Sequence, residues 1–450
     1  MPTDNITYIS LLGVVFTALM CFLLLSLPRK WALVPVIILI CYMTMGERVI
    51  VVGLNFTMIR ILTLVGWIRI LIRGELKSVK LNPIDKALIW FAISGMAIYV
   101  LQWQTFDAVK YEFGQVYNAL GMYFLFRFLV RDMDDCLRVF KIAAVFIIPL
   151  AASMVVERMT GRNAFAEFGG VSPITGIRDG VLRCQGPFAH PVLAGTFGAT
   201  LFPLFVALWR SKGHRLLSFL AILSSGAMVI TSGSSGPVGT LLAGLLALGC
   251  WPHRKHMSTI RSGILVAVVG LEIVMKAHVW FLMARVGVFS GSTGHHRAYL
   301  IDRALANFAD WWLLGTRSTV AWDEYYNLFD ITNQYLVYGA DGGLITMLLF
   351  ILVIVRCFGA VGLTVRALDE KSRELQFCVW ALGAVLFSHV VTFLSVSYFD
   401  QNFVNWYLLL AMISTASLSV QGVPEKAFSQ ADLLVGQRTR PVLWNPGWKR

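Results

Sequence analysis

Apolar runs long enough to cross a bilayer recur along almost the whole chain, and they restrict it to a membrane fold. They fall near residues 8–27, 31–45, 50–72, 86–103, 113–130, 139–156, 191–209, 216–232, 237–251, 262–281, 334–355, 376–394 and 403–419. A span of hydrocarbon takes roughly 17–25 residues of helix, so the pattern predicts an all-α, polytopic transmembrane helix bundle of about 12–13 spans. The run 31–45 is short enough to be re-entrant or tilted. Composition agrees. Of 450 residues, 57% are hydrophobic and 14% charged, with mean hydropathy +0.70; a soluble domain carries about a quarter charged residues. The net charge of +13 does not mark a nucleic-acid binder, because no dense basic tract with interleaved aromatics is present. Most Lys and Arg stand in short loops between apolar runs, as the positive-inside rule requires.

Those loops set the expected orientation. Arg29-Lys30, Arg73/Lys77/Lys80, Arg131/Arg138/Lys141, Arg210/Lys212/Arg215, Arg254/Lys255 and Arg366/Lys371/Arg373 alternate with poorly basic loops, so the basic set is assigned to the cytoplasm. The N-terminus is then periplasmic and the C-terminus cytoplasmic. The bundle is expected over residues 1–420, and residues 421–450, mixing Pro, Gly, Gln, Lys and Arg, read as a disordered tail. The first run lacks a basic leader and a small-residue cleavage site and reads as a retained helix. Cys21, Cys41, Cys250, Cys357 and Cys378 lie inside spans and Cys184 in a loop, which gives neither a disulfide framework nor zinc-ligand spacing.

Two outer loops, about 157–190 and 282–333, exceed turn length, and loops this long commonly carry a role. The outer face carries Arg48, Arg158, Arg162, Arg178, Arg183, Arg285, Arg297, Arg303 and Arg317 but only one clear lysine, Lys110. Preference for Arg over Lys fits bidentate recognition of phosphate or carboxylate; the alternative is pairing with Glu157, Glu167, Asp179, Asp302, Asp310 and Glu324. The first loop ends in Arg183-Cys184-Gln185-Gly186-Pro187-Phe188-Ala189-His190-Pro191, placing a phosphate-gripping arginine and a proton-moving histidine beside a span. The second is partly helical: Gly294-His295-His296-Arg297, then Ala298 to Phe308, then Trp311-Trp312. That helix either lies on the membrane and aims its arginines at lipid phosphates or packs over a vestibule. His295 and His296 have no acidic or cysteine partner nearby, a weak metal signal, so no metal is assigned. Asp330 and Asn333 either cap the next helix or contact substrate. The turn Ser232 to Pro237 either offers backbone amides to an anion or simply joins two helices. Among mid-membrane charges, Arg60 requires a partner or a water-filled cavity, with Glu272 as candidate, whereas Arg127 and Lys276 near span ends can snorkel.

Arg183, Gly186-Pro187-Phe188-Ala189-His190-Pro191 and Gly195, then Gly294 to Arg297, Leu314-Gly315-Thr316, Asn333/Tyr335-Leu336 and Gly342-Gly343-Leu344, resemble the motifs of the O-antigen ligase and O-antigen polymerase-like superfamily. The likeness in layout covers roughly residues 85–415. It implies a glycosyltransferase of the bacterial cytoplasmic (inner) membrane that takes a glycan from an undecaprenyl-diphosphate donor on the periplasmic face and passes it to a glycan or lipid acceptor, in surface polysaccharide or exopolysaccharide biosynthesis. One position departs. The ligases usually carry a catalytic histidine just before the asparagine that opens the helix, and here it is Thr332, whose hydroxyl does not titrate near neutral pH.

The expected scheme uses Arg183, Arg297 and Arg317, then Arg178 and Arg303, to stabilise charge growing on the diphosphate. His190 is the first-choice base, with Asp330 behind it; His295, His296 and Asn333 are candidate substrate contacts. No cofactor is required. Expected partners are the lipid-linked glycan, its acceptor, membrane lipids and other polysaccharide assembly proteins, with no nucleic acid. Two rival readings are a flippase or transporter of lipid-linked sugars and a non-catalytic subunit of a polysaccharide assembly system.

Overall fold

The computed structural model of the protein describes residues 9–51, 54–76, 81–211, 213–282, 291–322, 331–368 and 373–421. Each apolar run in them is occupied largely by helix. In chain order these are α1 (Leu11–Ser26), α2 (Leu33–Tyr42), α3 (Met58–Ile72), α4 (Pro83–Trp103), α5 (Phe106–Val116), α6 (Met122–Leu129), α7 (Met133–Thr160), α8 (Pro191–Arg210), α9 (Arg215–Thr231), α10 (Ser235–Gly249), α11 (Met257–Val274), α12 (Gly291–Ala306), α13 (Gln334–Ala367), α14 (Arg373–Phe393) and α15 (Gln401–Gln421). A π-helical turn, Tyr117–Gly121, joins α5 to α6.

Among the described residues, six helices are long and apolar enough to cross a membrane: α4, α7, α8, the stretch Trp251–Val274, α13 and α14. The molecule is therefore a helical membrane protein. Other runs give helices that are shorter, as in α1, α9 and α10, or interrupted, so length alone marks fewer crossings than the run count. Of these six, α8 is the most buried, with 78% of its apolar window inside the molecule, and the stretch Trp251–Val274 the least, with 0%. The tail from residue 421 lies, beyond Gln421, outside the described residues.

The structure departs from an all-α reading in two places. In a run expected to be helical from residue 50, β1 (Arg48–Val51) and β2 (Leu54–Thr57) pair antiparallel instead. The β-branched series Val49 to Val52 followed by Gly53 favours strand over helix. A second hairpin, β3 (Gly176–Arg178) and β4 (Val181–Arg183), stands in the long segment between α7 and α8.

Buried polar pairs tie the helices together where the surroundings offer no water. Asn402 and Asn405 on α15 donate to the Leu193 carbonyl and the Thr200 hydroxyl of α8, both at 3.1 Å. Thr240 of α10 meets Thr392 of α14 at 2.6 Å. Arg127 does not snorkel. It is buried on α6, 3.4 Å from fully buried Asp85 of α4, and bonds Thr415 of α15 at 3.2 Å. Sequence depth placed Arg127 near a span end but not on the face turned inward. Arg60 does not use Glu272. It bonds the Asn118 side chain at 2.8 Å and the Asn55 and Gly114 carbonyls, while Glu272 pairs with His278.

The helix α13 is broken. Gly342 (φ −135°) and Gly343 (φ 67°) leave helical geometry, and the segment Trp312–Thr316 fills the gap. Leu344 N–H donates to the Trp312 carbonyl at 2.8 Å, and Thr316 N–H donates to the Ala340 carbonyl at 2.7 Å. A side chain at Gly343 would place its Cβ 2.4 Å from the Leu313 carbonyl oxygen, so glycine is required by both conformation and space. This contact fixes the loop before α13 against the bundle.

Candidate functional site

The β3–β4 hairpin turns on Asp179 (φ 52°) and Gly180 (φ 74°), the Asp-Gly pair that two-residue hairpins favour. Its register pairs Gly176 with Arg183 and Arg178 with Val181. Cross-strand partners share a face and residues two apart share a face, so Arg178 and Arg183 stand on the same side. Gly176, lacking a side chain, leaves room between them.

The base of this hairpin is clamped from below. Glu157, 2% exposed at the end of α7, accepts from Gly186 N–H at 2.9 Å, Gln185 N–H at 3.2 Å and the Thr175 hydroxyl at 3.1 Å. Asn163 donates to the Gly186 carbonyl at 2.7 Å and Cys184 N–H to the Thr231 carbonyl at 3.0 Å. Glu157 is thus committed to backbone amides and is not a partner for an arginine.

Arg183 reaches the α9–α10 turn, where its Nη2 donates to Ser234 Oγ at 2.8 Å. Gly233 in that turn has φ 55°, and a Cβ there would lie 2.9 Å from the Leu182 carbonyl oxygen, so the close approach depends on glycine. Ser234 stands at the N-cap of α10 without making the usual side-chain bond to its first turn. The unsatisfied amides and positive dipole end of α10 therefore open beside Arg183.

Arg297 of α12 arrives from the other loop. A Cβ built on Gly236 would meet Arg297 Nη2, Val192 Cγ1 of α8 and Val396 Cγ2 at 3.5–3.6 Å. Arg297 is partly buried and its Nε has no hydrogen-bond partner; the same holds for Arg183 Nε. Burial, followed by the nearby Arg178 and Arg183 charges, pushes Arg297 down to about 10. Arg183 is also lowered, by burial and then by Arg178, with Asp179 opposing. Arg183 and Arg297 thus meet at one helix N-terminus, with Arg178 close enough to act on both electrostatically. The carboxylate seen among them is exposed Asp179, 3.8 Å from Arg178. Guanidinium donors beside a helix N-terminus form a setting that suits an anion.

The other expected site residues are placed differently. Arg317 is not with this trio: its Nε and Nη2 both donate to the Gln102 carbonyl, and its guanidinium lies 5.5 Å from the Trp103 ring. It thereby satisfies an orphan carbonyl at the C-terminal end of α4, where a cation is favourable. Arg303, six residues beyond Arg297 on α12, lies 4.9 Å from the Tyr299 ring. His295 packs between Phe281 and Tyr299, at 5.9 and 6.4 Å between ring centres, and His296 is half-buried on the same helix. Asn333, 3% exposed, caps α13 by accepting from Tyr335 and Leu336 N–H at 3.0 and 3.1 Å, and donates to the Leu394 carbonyl. Its polar atoms serve the fold, and the capping alternative is the one observed. Asp330 lies outside the described residues.

His190 is exposed at the N-cap of α8, where Nδ1 accepts from Val192 N–H at 3.3 Å. In the neutral ring that bond favours the tautomer with its proton on Nε2. No family model matches this sequence, and no curated protein matches it.

Proposed function

We propose that this protein is a glycan polymerase or ligase of the O-antigen ligase-like kind, moving a glycan from a polyprenyl diphosphate to an acceptor hydroxyl at the periplasmic face of a bacterial inner membrane. The observation that carries the reading is the meeting of Arg183 and Arg297 at the N-terminus of α10, with the Arg178 charge close to both. A diphosphate is the anion that would be held there. Its outer oxygens meet planar, multi-donor guanidinium groups, and the α10 amides add further donors.

In the reaction the acceptor oxygen attacks the anomeric carbon, the carbon–oxygen bond to the diphosphate breaks, and the diphosphate leaves with the bonding pair. Charge grows on the leaving oxygen, and the three arginines stabilise that charge more than the ground state. The acceptor gives up its proton to a base. His190, with Nδ1 engaged by backbone, acts as a donor to the phosphate side.

Cells carrying Arg183→Ala or Arg297→Ala are expected to lose polymer and accumulate the lipid-linked intermediate. Unchanged polymer yield and unchanged intermediate in both variants would sink the proposal. A second reading, movement of lipid-linked sugars across the bilayer, draws on the break in α13, since discontinuous helices are a transporter device. Liposomes that transfer labelled lipid across the bilayer without altering it would favour that alternative.

A further inference from the structure

A second polar centre lies where α4, α5 and the broken helix α13 meet, away from the arginine trio. Tyr99, Gln102 and Trp103 stand three and four residues apart on α4, on one helix face. Tyr99 packs against Trp103 at 5.9 Å and against Tyr111 of α5 at 5.4 Å. Next to Tyr111 is Glu112, 8% exposed, for which no hydrogen bond or ion pair is found among the described residues. Asp341 of α13 is close enough to act electrostatically on Glu112, Tyr111 and Tyr99.

Three further groups here are buried without partners: both amide atoms of Gln102, which is 9% exposed, and the Trp103 indole Nε1. A buried polar group left unmatched costs about 1–3 kcal/mol, and native interiors tolerate few. Gathering of these groups with an unpaired carboxylate marks a place completed by something that binds. Asp341 is exposed although it is the eighth residue of α13, and Tyr111 is 45% exposed. A carboxylate facing lipid would be costly, so the centre opens on water through Asp341 and Tyr111, with Gln102 and Glu112 as its floor.

The donor and acceptor set selects the occupant. Two carboxylates exclude an anion. Gln102 and Trp103 present N–H donors, which oppose a bare cation. A neutral molecule that both donates and accepts, with apolar faces to lay on aromatic rings, satisfies every group. We propose that Tyr99, Gln102, Trp103, Tyr111, Glu112 and Asp341 form a carbohydrate subsite, in which sugar hydroxyls donate to the carboxylates and accept from Gln102 and Trp103 while a ring face rests on tyrosine. The glycan-transfer reading is used only to choose a sugar over other polyols. Arg317 braces the backbone beside this subsite: it holds the Gln102 main-chain carbonyl and lies over the Trp103 ring.

The test uses the full chain in lipid nanodiscs, with maltose, lactose and cellobiose as probes and saturation-transfer NMR as readout. Transfer to at least one disaccharide is expected in the wild type. Affinity should fall roughly tenfold, the worth of about one hydrogen bond, in Glu112→Gln and Gln102→Leu. Trp103→Phe, which keeps the ring and removes the N–H, should weaken binding less. Arg297→Ala should bind the disaccharide as the wild type does, which separates failure of this subsite from failure of the diphosphate reading. Photo-crosslinking of the wild type with a diazirine-bearing disaccharide needs no variant and should label peptides within 99–112 or around 341. Absence of transfer from all three sugars, labelling confined to other peptides, or stabilisation by sodium ion in place of sugar that Glu112→Gln abolishes, would each overturn the proposal.

Discussion

Arg297 stays cationic at neutral pH even with its pKa pushed to about 10 by burial and by Arg178 and Arg183. Its depression reflects burial first and the neighbouring Arg178 and Arg183 charges second, together a cost on the order of a few kcal/mol. The sign follows from linkage. A base with a lowered folded pKa binds fewer protons folded than unfolded between about 10 and the ordinary arginine value of 12.5. Stability thus rises with pH through that window, and the cost is fully present below it. Replacing Arg297 with Met, which keeps the stem and removes the charge, is expected to leave the anion-free protein as stable or more stable at neutral pH. The same change should abolish the thermal stabilisation that pyrophosphate gives the wild type. In the wild type that stabilisation should hold at neutral pH and fade above about pH 10. A melting series with and without pyrophosphate reads all three. If Arg297→Met lowers anion-free stability sharply while the pyrophosphate response survives, the trio is a structural feature and not an anion site.

At the scale of elements, two joints position the loops. The Glu157 clamp fixes the start of the Arg183 segment through bonds to Gln185, Gly186 and Thr175. Charge-assisted bonds of this kind contribute about 1.5–3 kcal/mol each. Glu157→Gln should keep some of them and Glu157→Ala none, so amide exchange at residues 175–186 should rise slightly in the first and greatly in the second. The second joint is the break in α13. Gly343→Ala meets a left-handed backbone and a carbonyl at 2.4 Å; the conformational cost alone is about 1–2 kcal/mol, and the clash adds to it. The segment Trp312–Thr316 should then detach, exposing the bond from Trp311 Nε1 to the Ala304 carbonyl to proteolysis and solvent. Protection of this segment equal to that of the wild type would refute the role of the break.

Across the whole molecule, buried ion pairing joins helices distant in sequence. Asp85 accepts from the Tyr123 hydroxyl at 2.5 Å and faces Arg127, which also holds Thr415, so α4, α6 and α15 share one buried network. Arg127→Met strands the Asp85 charge and should cost about 3–5 kcal/mol, whereas Asp85→Asn combined with Arg127→Met should recover much of it. Thermal unfolding of the two variants in detergent distinguishes them, and equal losses would show that the pair is not coupled. The burial of Arg127 was not legible in the sequence for the same reason. Position near a span end admits either snorkelling or burial, and the choice depends on which neighbour packs there.

The sequence by itself determined where helices run, because burial in lipid imposes length and hydropathy residue by residue. By residue type it also singled out Arg183, Arg297 and Arg317, with Arg178 and Arg303 behind them. The hairpin at residues 48–57 escaped that reading, since a β-branched stretch is as apolar as a helix and hydropathy does not report backbone shape. Only the tertiary structure separated Arg317, spent on the end of α4, from Arg183 and Arg297, and showed His190 bound to backbone at the start of α8. Only it joined Glu112 to Asp341 and left Gln102 unmatched beside them. Residues 178 and 297 lie on different loops, and 112 and 341 on different helices; chain-local patterns carry no information on such meetings, which are decided by packing of the bundle.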